Sequence, residues 1–186
     1  MILCFDEFRG DYTWCASSTT PASASSWADI ERTTFSHKRV RIASSSEMVF
    51  AVGSYEDHAN AEILPLESGS WTAVASYPFA KSISLAPMIK SFDPLVFYIL
   101  GGWSTVHNDA LSTVAKFNAA DNQWTKIGEL QNARWAHGAI YLWTDDKFVV
   151  VGGKQIQTSD VQTEICTLDN DNTSISCIGT GYKLDK

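Results

Sequence analysis

Three hydrophobic runs in this chain close on glycine: MVFAVG (Met48 to Gly53), LVFYILGG (Leu95 to Gly102) and KFVVVGG (Lys147 to Gly153). Their last glycines, Gly53, Gly102 and Gly153, stand 49 and 51 residues apart. Apolar, β-branched and aromatic residues in so short a run suit a strand buried on both faces. Glycine at the end of the run permits positive φ and close backbone approach where the chain leaves the strand. Each run is followed by a second strand-like stretch, and two of the three units then carry a tryptophan, Trp71 and Trp124. A unit with two apolar faces cannot cover both alone, so equivalent units must stack.

A period near fifty with four short strands per unit reads as a β-propeller. The first unit is expected to place strands at 39–43, 48–52, 62–66 and 71–74. The second places them at 83–89, 95–100, 112–117 and 123–127, and the third at 136–143, 148–151, 161–168 and 173–178. The whole divides into a terminal hairpin of a preceding blade (1–15), a loop (16–34) that begins SSTTPASASS, three blades (about 35–75, 82–128 and 135–178) and a tail (179–186). The fold class is therefore all-β, with about three to three and a half four-stranded antiparallel blades. No convincing helix pattern is present.

The bulk numbers exclude several partners. Hydrophobic residues make up 45% and charged residues 19%, the balance of an ordinary globular protein. The net charge of −7, from 14 basic and 21 acidic residues, disfavours nucleic acid and anionic membrane surfaces. No apolar run approaches the ~20 residues of a membrane span. The opening MILCFDEF is too short and too soon acidic for a signal peptide.

Cys4 and Cys15 are 11 residues apart, and so are Cys166 and Cys177. Each pair brackets a polar, turn-like centre. One disulfide across a hairpin in two equivalent blades is the simplest reading, since cross-strand cysteines can reach the required separation. Matched pairs imply an oxidising compartment, hence a secreted or cell-surface protein; four free thiols in a cytoplasmic protein are the alternative. A glycosylation sequon, Asn172-Thr173-Ser174, falls in the turn of the second pair and points the same way. Cys177 takes the place that Trp71 and Trp124 hold in the other units.

These elements resemble the kelch-repeat family. The matching residues are Gly101-Gly102 and Gly152-Gly153 after hydrophobic runs, Phe117 seven residues before Trp124, Trp71 in the preceding unit, and Arg134 and His137 leading into the next strand. The resemblance covers about 36–178. It is weaker in the first unit, where Gly53-Ser54 replaces the double glycine. It implies a propeller of about five to seven blades, of which this chain holds three and a hairpin, so closure calls for further blades or self-assembly.

In such a fold the turns inside the hairpins share one end, and here they are short and acidic (Asp93, Asp121, Asp145, Asp146, Asp169 and Asp171). The longer loops, at 54–60, 103–111, 154–160, 75–82 and 128–135, share the other. Longer loops on one face of a repeat array usually meet the partner, and the family resemblance implies the same face. The candidates there are Tyr55, His58, Trp103, His107, Arg134, Trp135, Lys154 and Gln155. For Arg134 packing between blades is the expected role over binding, and for Trp135 the two readings stand side by side. His58 and His107 occupy related positions, but Thr158 stands where a third metal ligand would be needed, so solvated loop histidines are expected and no metal or cofactor. Asp169 to Thr173 lacks the glycine and glutamate of a calcium loop and reads as a polar turn. No nucleophile elbow and no phosphate-binding glycine loop appears. The expected role is a non-catalytic module binding protein or glycan. An intracellular adaptor of the ubiquitin-ligase substrate-receptor type is the alternative, and a propeller enzyme ranks below both.

Overall fold

The computed structural model describes residues 2–6, 13–17, 28–29, 33–39, 42–56, 58–156 and 162–183, with backbone alone for 2–6, 13–17, 28–29, 182 and 183. Every regular element in them is a strand. The first sheet holds β1 (Ile2–Asp6), β2 (Thr13–Ser17) and β3 (Ala28–Asp29). The second holds β4 (Ile42–Ser44), β5 (Met48–Val52), β6 (Ala61–Pro65) and β7 (Thr72–Val74). The third holds β8 (Met88–Lys90), β9 (Val96–Ser104), β10 (Asp109–Asn118) and β11 (Gln123–Glu129). The fourth holds β12 (Gly138–Leu142), β13 (Lys147–Val151), β14 (Gln162–Leu168) and β15 (Ile175–Lys183). Within each sheet the strands pair antiparallel in chain order.

The first strands of the last three sheets, β4, β8 and β12, lie against one another in succession, which gives the molecule a propeller-like arrangement. A string of backbone hydrogen bonds marks this seam. The Leu85 amide donates to the Arg39 carbonyl (3.1 Å), and the Ala136 amide donates to the Leu85 carbonyl (2.9 Å). Arg39, Leu85 and Ala136 hold the same place in their sheets, and all three have positive φ (57°, 53° and 54°).

The third sheet is buried on both faces because it is packed between the second and the fourth. Phe50 of β5 stacks on Phe117 of β10 (4.7 Å between ring centres) and meets Phe97 (5.1 Å) and Trp124 (5.8 Å), which fills the space between the second and third sheets. The other face of the third sheet presents Tyr98, Leu100 and Val114 to Phe148, Val150 and Cys166 of the fourth. Val49, Ala51, Leu64 and Trp71 occupy the opposite face of the second sheet.

The register equates Gly53 with Gly101 and Gly152, and sets Ser54 where the other sheets have their second glycine. Gly53 is required here: a Cβ on it would lie 2.0 Å from the Ile83 carbonyl oxygen of the chain leading into the third sheet. Gly101 likewise would meet the Arg134 carbonyl at 2.8 Å.

Several boundaries differ from the sequence reading. β9 does not end at the glycine pair but runs on to Ser104. The kink at Gly101-Gly102 is absorbed by a bulge in β10, whose register jumps from Leu111↔Gly102 to Val114↔Leu100. The stretch from 179 is no tail, because β15 continues to Lys183, paired with Gln162. β4 and β8 are shorter than expected because the residues before them form the left-handed turn at Arg39 and Leu85. The segment 16–34, expected as a loop, contributes the short strand β3.

Candidate binding face

Each sheet's lead-in chain is pinned to the hydrophobic run of the same sheet one residue past the glycine pair. Trp103 pairs with Ser84 and Lys154 with Trp135 as isolated bridges, and the Tyr55 amide donates to the Lys38 carbonyl (2.8 Å). Tyr55, Trp103 and Lys154 are therefore equivalent positions at the loop end of three successive sheets. Two of the three are aromatic, and both border a cleft of about 570 Å³ between the second and third sheets.

Tyr55 is exposed, with the Arg39 guanidinium 4.4 Å from its ring centre. Lys38 pairs with Glu56 at 2.7 Å beside it. This exposed ion pair holds the Glu56 carboxyl below its ordinary range, chiefly through the hydrogen bond from Lys38. Trp103 forms the facing wall with Thr105 and Asn108. Trp135, half-buried, packs against Trp103 with ring centres 4.5 Å apart, so it supports the wall and does not line the cleft. A smaller cleft of about 280 Å³ lies at the next junction, lined by Asp109, Gln131, Asn132, Gln155 and Ile156 among others. Lys154 is exposed, and so is His107.

Two other candidates are not placed on the open face. His58 is half-buried, its ring 6.2 Å from His37 and 6.3 Å from Phe35. Burial lowers the His58 pKa, and the charge of His37 adds to this. Arg134 is fully buried. Its guanidinium donates to Glu164 (2.5 Å), to the carbonyls of Gln162 (2.8 Å) and Gly152 (3.2 Å), and through Nε to that of Asn132 (3.3 Å). Desolvation pushes the Arg134 pKa down, opposed by the Glu164 charge. Arg134 is thus a packing residue and presents nothing to a ligand.

The partner of Arg134 belongs to a repeated device. Glu164 also accepts from the backbone amides of Gln131 (2.8 Å) and Asn132 (3.1 Å), and from the Asn132 side chain (3.1 Å). In the second sheet Glu62 accepts from the amides of Thr34 (2.9 Å) and Phe35 (3.1 Å). His37 meets it at 3.0 Å through Nε2, while its Nδ1 donates to the Gly53 carbonyl (2.7 Å). Burial raises the Glu62 pKa, but the hydrogen bonds from His37, Phe35 and Thr34 outweigh it and hold the carboxyl below its usual range. Glu62, Ala115 and Glu164 occupy one register position, opposite Ala51, Ile99 and Val150. The third sheet therefore replaces the acid with Ala115, and Ile83 stands where His37 and Arg134 do. Sequence reading missed these carboxylates. The available signal was a lone glutamate at an inward position of an otherwise apolar strand, in AEILP and in QTEICTL.

Cys166 and Cys177 are bonded across β14 and β15, directly opposite in register. That register position is Leu64–Trp71 in the second sheet and Phe117–Trp124 in the third, so Cys177 does stand where the tryptophans do. Among the described residues, Glu164, Cys166 and Cys177 alone form a cluster of metal-binding type. Its sulfurs are consumed by the disulfide and its carboxylate by Arg134, so it is structural. The backbones of Cys4 and Cys15 are likewise opposite in β1 and β2, while their side chains lie outside the described residues. Asn172 sits in a polar turn, where the Asp169 carboxylate accepts from the Thr173 amide (2.7 Å) and from the hydroxyls of Thr173 (2.8 Å) and Ser174 (3.0 Å). Those bonds, led by that from the Thr173 side chain, lower the Asp169 pKa to about 2.

No known family profile matches the chain, and no curated protein matches it in sequence. Among solved structures, one titled "Structure of YjhT" superposes with a TM-score of 0.69 at 9% identity. The match covers 93% of this chain and 60% of that one, so the chain spans about three fifths of its length. At this identity the likeness is one of fold. No helix among the described residues is long and apolar enough to cross a membrane.

Proposed function

We propose that the chain is a kelch-type β-propeller module that binds a protein or glycan, without catalysis, through the loop end of its sheets. The observation that carries this reading is the cleft between the second and third sheets, walled by Tyr55 and Trp103 and edged by Lys38, Arg39 and Asn108. Aromatic side chains backed by a rigid sheet, next to cations and amides, make good anchors for a partner. Two features support a binding role over a catalytic one. The buried acid and base groups, Glu62 with His37 and Glu164 with Arg134, are committed to holding the lead-in chain and are sealed from solvent. The amine and the acid at the cleft, Lys38 and Glu56, are paired with each other at 2.7 Å in an exposed position.

The matched glycine positions, the succession of inner strands and the likeness to the YjhT structure support the propeller assignment. The Cys166–Cys177 bond favours a secreted or cell-surface location over a cytoplasmic adaptor, since the cytosol keeps such thiols reduced.

The test is an array screen against glycans and against extracellular protein domains, run with the native chain, a Tyr55→Ala/Trp103→Ala variant and Asp121→Ala at the opposite end. Ligands lost with the cleft variant and kept with Asp121→Ala support the proposal. Ligands that ignore the cleft change, or that depend on Asp121, overturn it.

A further inference from the structure

Two buried clamps tie a lead-in chain to its sheet, and both join the same two acceptors. In the fourth sheet Arg134 spans the Gly152 carbonyl (3.2 Å) and the Glu164 carboxylate (2.5 Å). In the second sheet His37 spans the Gly53 carbonyl (2.7 Å) and the Glu62 carboxylate (3.0 Å). Gly53 and Gly152 are equivalent in register, as are Glu62 and Glu164. A carbonyl only accepts, and so does an ionised carboxylate, so the group between them must donate twice. A guanidinium does so at any working pH. An imidazole has two N–H groups when protonated and one when neutral. His37 therefore fills both bonds as the imidazolium. The exchanged state, a neutral ring accepting from a protonated Glu62, is opposed because that carboxyl already accepts from the amides of Thr34 and Phe35, donors that favour its charged form.

The clamp sits directly behind the larger cleft. His37 leads into Lys38 and Arg39, and Gly53 leads through Ser54 into Tyr55 and Glu56. Lys38, Arg39, Tyr55 and Glu56 make one wall of the cleft, and Trp103, Thr105 and Asn108 of the third sheet make the other. Among the described residues the other ionisable groups around His37 are few. His58 lies 6.2 Å away, ring to ring. Burial, and then the charge of His37, lower the His58 pKa, so its own titration falls on the acid side of the ordinary histidine value. Glu56 is held by Ser36 (3.4 Å) and Lys38 (2.7 Å), the residues on either side of His37. The chain of the third sheet that passes Gly53 presents Ile83, which is apolar.

We propose that the His37–Glu62 clamp is a proton-operated latch on that wall of the cleft: the charged ring ties the lead-in chain to the end of β5, and loss of one ring proton lets go. A neutral ring leaves either the Gly53 carbonyl or the Glu62 carboxylate facing a lone pair, in a site sealed from water. The closed form holds one more proton than the open form, so it is favoured at mildly acidic pH and lost as pH rises through the range in which histidine titrates. At the acid end Glu62 sets the limit: burial works against its charge, but the bonds from His37, Phe35 and Thr34 keep the carboxyl ionised below the usual range. That the latch governs a ligand rests on reading the cleft as the binding site; the latch itself does not.

The experiment is amide hydrogen exchange of the native chain, read by NMR from about pH 6 to about pH 8.5. Protection factors, which remove the intrinsic pH dependence of exchange, are compared for Thr34 and Phe35 against Gln131 and Asn132, the amides bound to the arginine-held carboxylate. The first pair should lose about tenfold or more, the effect of one buried hydrogen bond broken, while the second stays level. Long-range proton–nitrogen spectra of the histidine side chains should show the His37 ring passing from imidazolium to one neutral tautomer over the same range. His37→Arg, copying the fourth sheet, should hold the first pair level as well. Flat protection at Thr34 and Phe35 in the native chain, an equal loss at both pairs, a His37 ring already neutral at about pH 6, or a pH dependence that persists in folded His37→Arg would each overturn the proposal. No ligand enters the measurement, so a flat profile leaves the binding reading intact and a failed ligand screen leaves the latch intact.

Discussion

The third and fourth sheets share one topology and one register yet are held together by different chemistry. In the third, the outer hairpin is closed by Phe117 opposite Trp124, and the junction under the lead-in chain is filled by Ile83 and Ala115. In the fourth, the same two places carry the Cys166–Cys177 bond and the Arg134–Glu164 pair. Apolar volume in one sheet is replaced by a covalent bond and a buried ion pair in the next. The repeat thus fixes where an anchor must be, and leaves its chemistry open. The two kinds of anchor differ in how they fail. An apolar filler leaves a cavity when cut, whereas a buried ion pair leaves an unpaired charge.

That difference can be measured. The largest loss is expected from Glu164→Ala, about 4 kcal/mol by urea unfolding, because Arg134 and the amides of Gln131 and Asn132 are stranded together. Adding Arg134→Ile, to imitate the third sheet, should recover part of it; a strictly additive double variant would break the analogy between the sheets. Trp124→Ala follows, at about 3 kcal/mol, the low end for a large aromatic because the ring is half-buried. Part of that loss is the indole's hydrogen bond to the Ala75 carbonyl at 2.7 Å, which ties the third sheet to the second. A loss within error would show that the aromatic pair does not anchor its sheet.

Replacing Cys166 and Cys177 together by alanine should cost about 2–3 kcal/mol, less than either, since the bond closes a short loop. An effect larger than that of Trp124→Ala would reverse the ranking. Acid adds a directional test. Glu62 has a folded pKa below its unfolded value of about 4.3, so its contribution is complete above that pH and is lost as pH falls through the lower folded value. The stability gap between the native chain and Glu62→Gln should therefore narrow below about pH 4. A constant gap would mean that Glu62 is not ionised in its site. The smallest change, within about 0.5 kcal/mol, is expected for His107→Ala at its exposed loop position.

The repeat was legible because its signals are local: a short apolar run, a glycine and a tryptophan at recurring offsets. β5 was read to the residue, and β9 and β13 to within a few. What escaped the sequence depends on long-range register. The bulge opposite Gly101-Gly102 and the extension of β15 to Lys183 arise from pairing between strands, which a single segment does not encode. The geometry of the candidate face was legible in part. Tyr55 and Trp103 do share one cleft, since both follow the glycine element that was recognised. His58 shares that face by position along the loops, but position does not say which way a side chain turns, and it is half-buried beside His37. Arg134 packs between sheets, as its place before the strand suggested. Glu62 and Glu164 lie 27 to 33 residues beyond the amides they hold, a distance at which no local pattern speaks.

The bonds from Leu85 to Arg39 and from Ala136 to Leu85 join neighbours only, so the array is coupled like a row of magnets, each unit feeling the next. In such a row a unit with one neighbour opens before a unit with two. The fourth sheet is closed across its outer hairpin by a covalent cross-link, and the third by the contact of Phe117 with Trp124. The cross-link therefore opposes the opening of its own sheet and, through the shared bonds, of the third, and hydrogen exchange in both should quicken once the bond is cut.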